Sequence, residues 1–432
     1  MDIRKKEKME AKKQRIYCCI DLKSFYASVE CVSRGLDPFK TNLIVADPDR
    51  TTRSVCLAIT PAMKALGIKN RCRVYQIPPT VEYITAKPRM KLYMRKSAEI
   101  YGIYLKYISP DDIHVYSIDE CFIDLTDYIK LYKTDAKTLA KTLTEAVFKQ
   151  TGIRATVGIG TNLYLAKIAL DITAKNSPDF MGCLTEELYK KTLWHHRPLT
   201  DFWNVGPGIA KRLENLKIYD MYGVSVFDER ILYKEFGVNA ELLIDHSKGI
   251  ETCTIADIKA YKPKHNSLSN SQILFSDYNQ KEALIIVKEM VYQLILELNE
   301  KGLVCDGISL YVGYSLNVEK PSGGSKKLSG YTDSIKKLTD EFVKYYKSVV
   351  MDLPIRKITV GLNNVVDKIH KTYDLFTDLE QEGKQENLAK AIVDIKNKYG
   401  KNALLKGISY SDKATARERN KMVGGHFGGE DD

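Results

Sequence analysis

The sequence predicts an α+β chain of several domains, built on two βαββαβ patterns with a small helical module between them. Three observations predict it. The chain has 432 residues, too many for one hydrophobic core. Short apolar runs of strand type alternate with helical stretches in that order twice, over residues 16–183 and again over 267–366. Between the two copies, residues 202–213 read as helix, glycine-containing turn, helix.

Residues 1–15 are charged and lack both an apolar core and a cleavage site, so they read as a basic tail rather than a secretion signal. The apolar run 16–20 is a buried-strand candidate that ends at Asp21. Phe25 and Tyr26 then open a helix. Residues 42–46 and 54–59 are candidate strands, and 61–68 a helix capped at Gly67. After a helix over 93–105, Ile113 and Val115 share one face of a strand, while Cys121, Ile123 and Leu125 share one face of the next. Asp119 and Glu120 sit at the bend between them. In a straight strand neighbours point to opposite faces, so a joint site needs the bend to bring both carboxylates to one side. A polar hairpin tip is the plain reading of such a pair. With Asp21 at a strand end, however, three carboxylates make the minimal geometry for hard divalent cations, which take oxygen ligands and keep substrate phosphates as partners.

A helix follows over 136–150, then a strand 154–160 running into Gly158-x-Gly160, which reads as a tight turn or, less often, a phosphate cradle. Asn162 caps a helix that carries Lys167, and Lys175 lies beyond it. Residues 253–266 read as an exposed basic linker. The second pattern has strands at 269–275, 307–313, a short one near 326–328, and 355–362, with helices over 280–300 and 334–346. From residue 367 hydrophobic density falls, with one amphipathic helix over 389–399 ending at Gly400. The stretch Arg417 to His426 suggests no mechanism, and His426 reads as no metal ligand.

Lysine and arginine (66) outnumber aspartate and glutamate (55) by 11. That excess suits a polyanionic partner, although many proteins that bind none share it. No run approaches the ~18 apolar residues of a membrane span, so no membrane partner is expected. Nine scattered cysteines without a Cys-x-x-Cys pair argue against zinc and a disulfide framework, and for a reducing cytosol.

Asp21-x-x-x-Phe25-Tyr26-Ala27-Ser28-Val29-Glu30, together with Tyr116-Ser117-Ile118-Asp119-Glu120, resembles the paired signatures of Y-family (translesion) DNA polymerases. The resemblance covers nearly the whole chain, and the C-terminal stretch is similar to the UmuC-like branch of Gram-positive bacteria. It implies a right-hand polymerase: palm (16–24 and 89–183), small fingers (25–88), helix-hairpin-helix thumb (184–252), linker (253–266), little finger (267–366) and C-terminal tail (367–432). It implies low-fidelity, template-directed synthesis with two Mg²⁺ ions. Asp21, Asp119 and Glu120 would be catalytic, and with the Leu22 carbonyl would hold the metal. Phe25, Tyr26, Lys64 and Lys175 would bind the nucleotide, Tyr26 as a steric gate beneath the sugar. Lys175 sits one residue further along than in some relatives, with Lys167 as the other candidate. Gly206, Gly208 and Lys211 of the thumb would contact DNA. Lys326, Lys327, Arg356 and Lys357 fit phosphate contacts or a solvated face equally well.

The chain also departs from the family. Pro61 stands where many relatives have Tyr, and Lys often replaces Arg, exchanging a bidentate fork for a point charge. Tyr373-Asp374-Leu375-Phe376 resembles the tail of a sliding-clamp peptide, with Thr372 where Gln would stand. The implied partners are primer-template DNA, deoxynucleoside triphosphates, a sliding clamp, and a UmuD-like or RecA protein, in a bacterial cytoplasm on DNA. Two alternatives remain at this point: a catalytically inactive relative acting as a DNA-repair scaffold, and another palm enzyme such as a nucleotidyl cyclase.

Overall fold

The computed structural model describes residues 15–48, 52–263, 266–315, 320–373 and 378–429. The basic tail before residue 15 therefore lies outside the described residues. The chain forms two compact units, Met1–Tyr261 with Gly429–Asp432, and Lys262–Gly428.

The strands of the first unit are β1 (Tyr17–Leu22), β2 (Leu43–Val45), β3 (Ala58–Ile59), β4 (Ile84–Ala86), β5 (Ile113–Val115), β6 (Glu120–Asp124), β7 (Ala155–Gly160) and β8 (Met181–Leu184). Five of them form one sheet in the order β5-β6-β1-β7-β8, with β1 antiparallel to both neighbours. β1 takes the centre because Tyr17, Cys18, Cys19 and Ile20 can be buried on both faces, and all four are. The helix Ala136–Thr151 packs through Leu139, Leu143 and Val147, which recur at helical spacing.

The helix Leu163–Ile168 lies almost against β7. A Cβ added to Gly158 would sit 2.1 Å from the Ala166 carbonyl oxygen, and one added to Gly160 would sit 2.2 Å from the Ala166 nitrogen. The Gly158-x-Gly160 pattern is thus neither a turn nor a phosphate cradle. It lets a helix approach a strand.

A separate small sheet, β3-β2-β4, lies between the sequence segments of the large one. Of the expected strand at 54–59 only Ala58 and Ile59 are strand; Val55 forms a lone bridge with Arg73. The helix beside it, Pro61–Ala65, ends as expected, with Gly67 at φ 80° closing the last turn.

The second unit is built on a sheet of β9 (Ser267–Tyr278), β10 (Leu303–Tyr314), β11 (Ser322–Thr332) and β12 (Ile355–Asn363), in the order β11-β10-β12-β9, with the short strand Val366–Asp367 also paired to β10. The helices Gln280–Glu300 and Ile335–Val349 cover one face through Ile286, Met290, Leu338 and Phe342. The short strand expected near 326–328 is in fact 11 residues long. Its Ser-Gly-Gly-Ser start reads as loop by composition, but β10 offers it a full-length partner. Two further boundaries differ. The expected linker contains a helix, Ile255–Ala260, closed by a Thr254–Asp257 capping box. The tail helix starts ten residues early, as Leu379–Tyr399.

Candidate active site

The carboxylates meet at one end of β1. Asp21 stands directly opposite Glu120 on β6 and Thr156 on β7, so Asp21 and Glu120 share a face. The Leu22 N–H donates to the Asp119 carbonyl at 2.9 Å. The bend is tight: the N–H groups of Tyr116 and Ser117 both donate to the Glu120 carbonyl, at 2.9 and 3.0 Å. Ser117 Oγ then donates to Asp119 Oδ1 at 2.7 Å, orienting it. Burial first, then the charges of Asp119 and Glu120, push the Asp21 carboxyl up to about 7.

Glu120 is not free. Lys167 Nζ lies 2.8 Å from Oε1 and 2.9 Å from Oε2, and Cys19 Sγ donates to Oε1 at 3.1 Å. Lys167 also pairs with Asp171 at 3.1 Å. Burial works against its charge, but Cys19, Asp171 and Glu120 outweigh burial and hold the ammonium above the usual lysine value.

Three acidic side chains at one sheet end, beside a backbone carbonyl, have the donor chemistry of a hard divalent cation. Among the described residues the tightest acidic group is elsewhere: one carboxylate oxygen each from Asp333, Glu382 and Glu386 lie within 4.8 Å of one another. Lys371 fills that group, 2.6 Å from Asp333, 3.0 Å from Glu382 and 2.6 Å from Glu386, which makes it an ion-pair cage. Asp21, Asp119 and Glu120 are not drawn to that spacing, and Glu120 is turned onto Lys167.

Besides Lys167, three lysines act on Asp21. Burial lowers the Lys64 ammonium, with Asp21 pulling it back up and Lys175 adding to the lowering. Lys23, which sequence reasoning missed, is lowered by burial and then by Lys64 and Lys175. Lys175 donates to Asp171 Oδ1 at 3.2 Å. Lys167 and Lys175 reach this one aspartate because the helix carrying Lys167 passes into a π turn, Ala169–Thr173, which absorbs one extra residue. That turn accounts for the unusual spacing of Lys175.

The Tyr26 ring stacks on Tyr93 with centroids 4.6 Å apart and planes at 18°. The Tyr93 hydroxyl donates to Glu30 Oε1 at 2.7 Å. Glu30 is wholly buried and also takes Arg89 at 3.0 and 2.9 Å, and Arg34. This Glu30–Arg89–Tyr93 support was not read from the sequence; its members lie about sixty positions apart and carry no shared motif. Phe25, by contrast, is only 2% exposed. Its ring belongs to the core, so the expectation of a nucleotide contact reduces to its backbone.

Gly206 caps the helix Pro207–Asn215, with Lys211 exposed on it. The element before the turn is a 3₁₀ segment, Leu199–Asp201, rather than the expected helix. Neither Gly206 nor Gly208 has a neighbour within 4 Å of an added Cβ, so internal packing demands neither glycine.

The four basic residues of the second unit divide. Lys327 pairs across from Gly307 and Lys357 across from Gly313, on the sheet face opposite the helices. The same face carries Ser309, Thr359, Gly361, Ser269 and Ser271, mostly small neutral side chains, with Tyr311 among them. Lys326 and Arg356 do not join it: Lys326 donates to Glu341 at 2.8 Å and Arg356 to Asp277 at 3.3 Å. Tyr373 is exposed. Asp374, Leu375 and Phe376 of the clamp-like motif lie outside the described residues.

Residues 20–171 match the impB/mucB/samB family, and residues 265–375 match that family's C-terminal domain. A Bacillus subtilis (strain 168) protein named for UV-damage repair, UvrX, is 31% identical over 418 residues, covering 94% of this chain and 96% of its own. DNA polymerase IV 2 of the same organism is 27% identical over 420 residues, covering 96% and 99%. A solved Y-family DNA polymerase chimera, Dbh-Dpo4(243-245)-Dbh, shares the fold at TM-score 0.63 and 20% identity, over 82% of this chain and 99% of that one. With the sheet, the carboxylates and these relatives in view, the chain belongs to the Y-family of DNA polymerases and is a DNA-directed DNA polymerase.

Proposed function

We propose that the chain performs low-fidelity, template-directed nucleotidyl transfer past damaged bases with two Mg²⁺ ions. The observation that carries this reading is the meeting of Asp21, Asp119 and Glu120 at one sheet end, with Asp21 raised by burial and then by its two acidic neighbours. When bound, the two metals supply charge neutralisation for in-line displacement at the α-phosphorus. Asp21, Asp119 and the Leu22 carbonyl would hold them, with Glu120 released from Lys167 to join. Lys23, Lys64 and Lys175 bind the triphosphate as point charges. The Tyr26 ring, backed by Tyr93, lies beneath the sugar and excludes a 2′-hydroxyl.

The duplex is held by phosphate contacts. The open backbone at Gly206 and Gly208 admits one phosphate close to a helix N-terminus, and Lys211 adds charge. The glycine- and serine-rich sheet face lets another backbone approach, with Lys327 and Lys357 beside it. A sliding clamp would engage at Tyr373, Leu375 and Phe376, and a UmuD-like or RecA partner would act with the enzyme on cytoplasmic DNA. No described helix is long and apolar enough to cross a membrane.

Primer extension on undamaged and lesion-bearing templates tests the reading. Asp119→Asn should lower extension roughly a thousandfold while DNA binding changes little. Persistent extension in that variant removes the site assignment. Wild-type protein that binds DNA but never extends a primer would instead favour the scaffold alternative.

A further inference from the structure

The helical side of the second unit encloses a cavity of about 620 Å³, within the usual range for small-molecule sites. The polymerase reading gives it no task. Its apolar walls are Leu296, Val343, Val393 and Ile408, drawn from three helices and the segment after them. The C-terminal stretch without an assigned mechanism completes it. The N–H groups of Thr415 and Ala416 donate to Glu289 Oε2 at 3.0 and 2.9 Å, and Arg419 Nη1 donates to Gln272 Oε1 at 2.9 Å.

Positive charge without a carboxylate partner lines this space. Glu297 is matched by Lys301 at 2.6 Å, and Glu300 by Asn397 at 2.8 Å. Among the described residues, however, Lys288, Lys396, Lys401 and Lys406 have no carboxylate within ion-pair reach. Lys396 donates only to the Lys401 carbonyl, at 2.7 Å, and Lys406 lies 3.8 Å over the Tyr292 ring. Burial holds Lys396 and Lys406 below the usual lysine value, and Lys288 adds to this for Lys406. The Glu289 side chain is fully buried behind the wall, where its Oε2 takes the Thr415 and Ala416 N–H groups with Arg419 Nη1 at 3.9 Å.

An inorganic phosphate would answer only the lysines. An acyl chain would answer only the apolar walls. A nucleotide answers both, with phosphates and a planar apolar base. We propose that this cavity binds a nucleoside di- or triphosphate, its phosphates among Lys288, Lys396, Lys401 and Lys406 and its base against Leu296, Val343 and Val393. The inference does not rest on the catalytic reading, since every lining residue lies between Lys288 and Asn420.

The test is fluorescence titration of methylanthraniloyl-ADP into the full chain in EDTA without DNA, with unlabelled competitors. Saturable binding is expected, displaced by ADP and at least about tenfold less well by pyrophosphate. The double variant Lys396→Glu/Lys406→Glu should weaken binding about tenfold or more, while Asp119→Asn leaves it within about twofold. If the double variant melts early, Val393→Trp, which fills the cavity from its apolar wall, takes its place and should abolish binding. The proposal is overturned by any of four outcomes: no saturation up to millimolar ligand; equal displacement by pyrophosphate or by a polyglutamate peptide; loss in Asp119→Asn instead of the lysine variant; or unchanged binding in Val393→Trp.

Discussion

Glu30 shows how one buried charge can act at a distance. Burial alone would raise its carboxyl, but hydrogen bonds from Arg89, Arg34 and Tyr93 outweigh burial and hold it below the ordinary glutamate value. A depressed folded-state value contributes stability that is present above the unfolded pKa and lost as pH falls through the folded one. The arginines are more than a third exposed, so solvent screening reduces this contribution. Glu30→Gln should therefore lower the urea midpoint at pH 7 and flatten its decline toward acid, measured by denaturation from pH 7 to 4. Asp21 works in the opposite sense. Raised to about 7, it holds a proton below that pH, and the proton competes with a cation. The Mg²⁺ concentration giving half-maximal primer extension should rise as pH drops through 7 and level off above it. At this scale the meeting of Asp21, Asp119 and Glu120 was legible in the sequence, because a strand end and a tight bend are local features. Lys23 was not, and Lys167 was read as a triphosphate contact rather than as the partner of Glu120, since what marks both is the carboxylate that packing brings to them. Lys326 and Lys327 looked alike as letters, and only strand alternation separates the paired one from the open one.

The support beneath the site comes from whole elements. The helix carrying Lys167 is seated by two glycines of β7, and Gly160→Ala would set a Cβ 2.2 Å from the Ala166 backbone. Since backbone must move to admit it, the expected cost is about 2–3 kcal/mol, read as a lower melting temperature with extension reduced in parallel. Deleting one residue from the π turn Ala169–Thr173 should rotate Lys175 about 100° away from Asp171. Steady-state kinetics should then show KM for the nucleotide rising more than kcat falls. Tyr93→Ala removes the ring stacked behind Tyr26, so discrimination against ribonucleotides should fall while deoxynucleotide use changes less. Helices with a clear apolar stripe, such as 136–151, were legible within a residue of their ends. The strand Ser322–Thr332 was hidden because glycine and serine signal loops unless a partner strand claims them.

At the scale of the molecule, the two βαββαβ layers follow from periodicity alone, since strand and helix repeats differ in every segment. The division into two units near residue 261 was legible as a change in composition, although the helix inside the expected linker was not. Binding through phosphates makes affinity steeply salt-dependent. Lys327→Ala or Lys357→Ala should each reduce the log–log salt slope of DNA binding by about 1. Lys326→Ala should leave it nearly unchanged, because Glu341 already neutralises that charge. One contact described above has a wider meaning. Lys167 is a counter-ion carried on the chain itself, lodged between Glu120 and Asp171. Clustered acids ordinarily strain a resting protein by mutual repulsion. Here a tethered ammonium offsets part of that repulsion from within the fold.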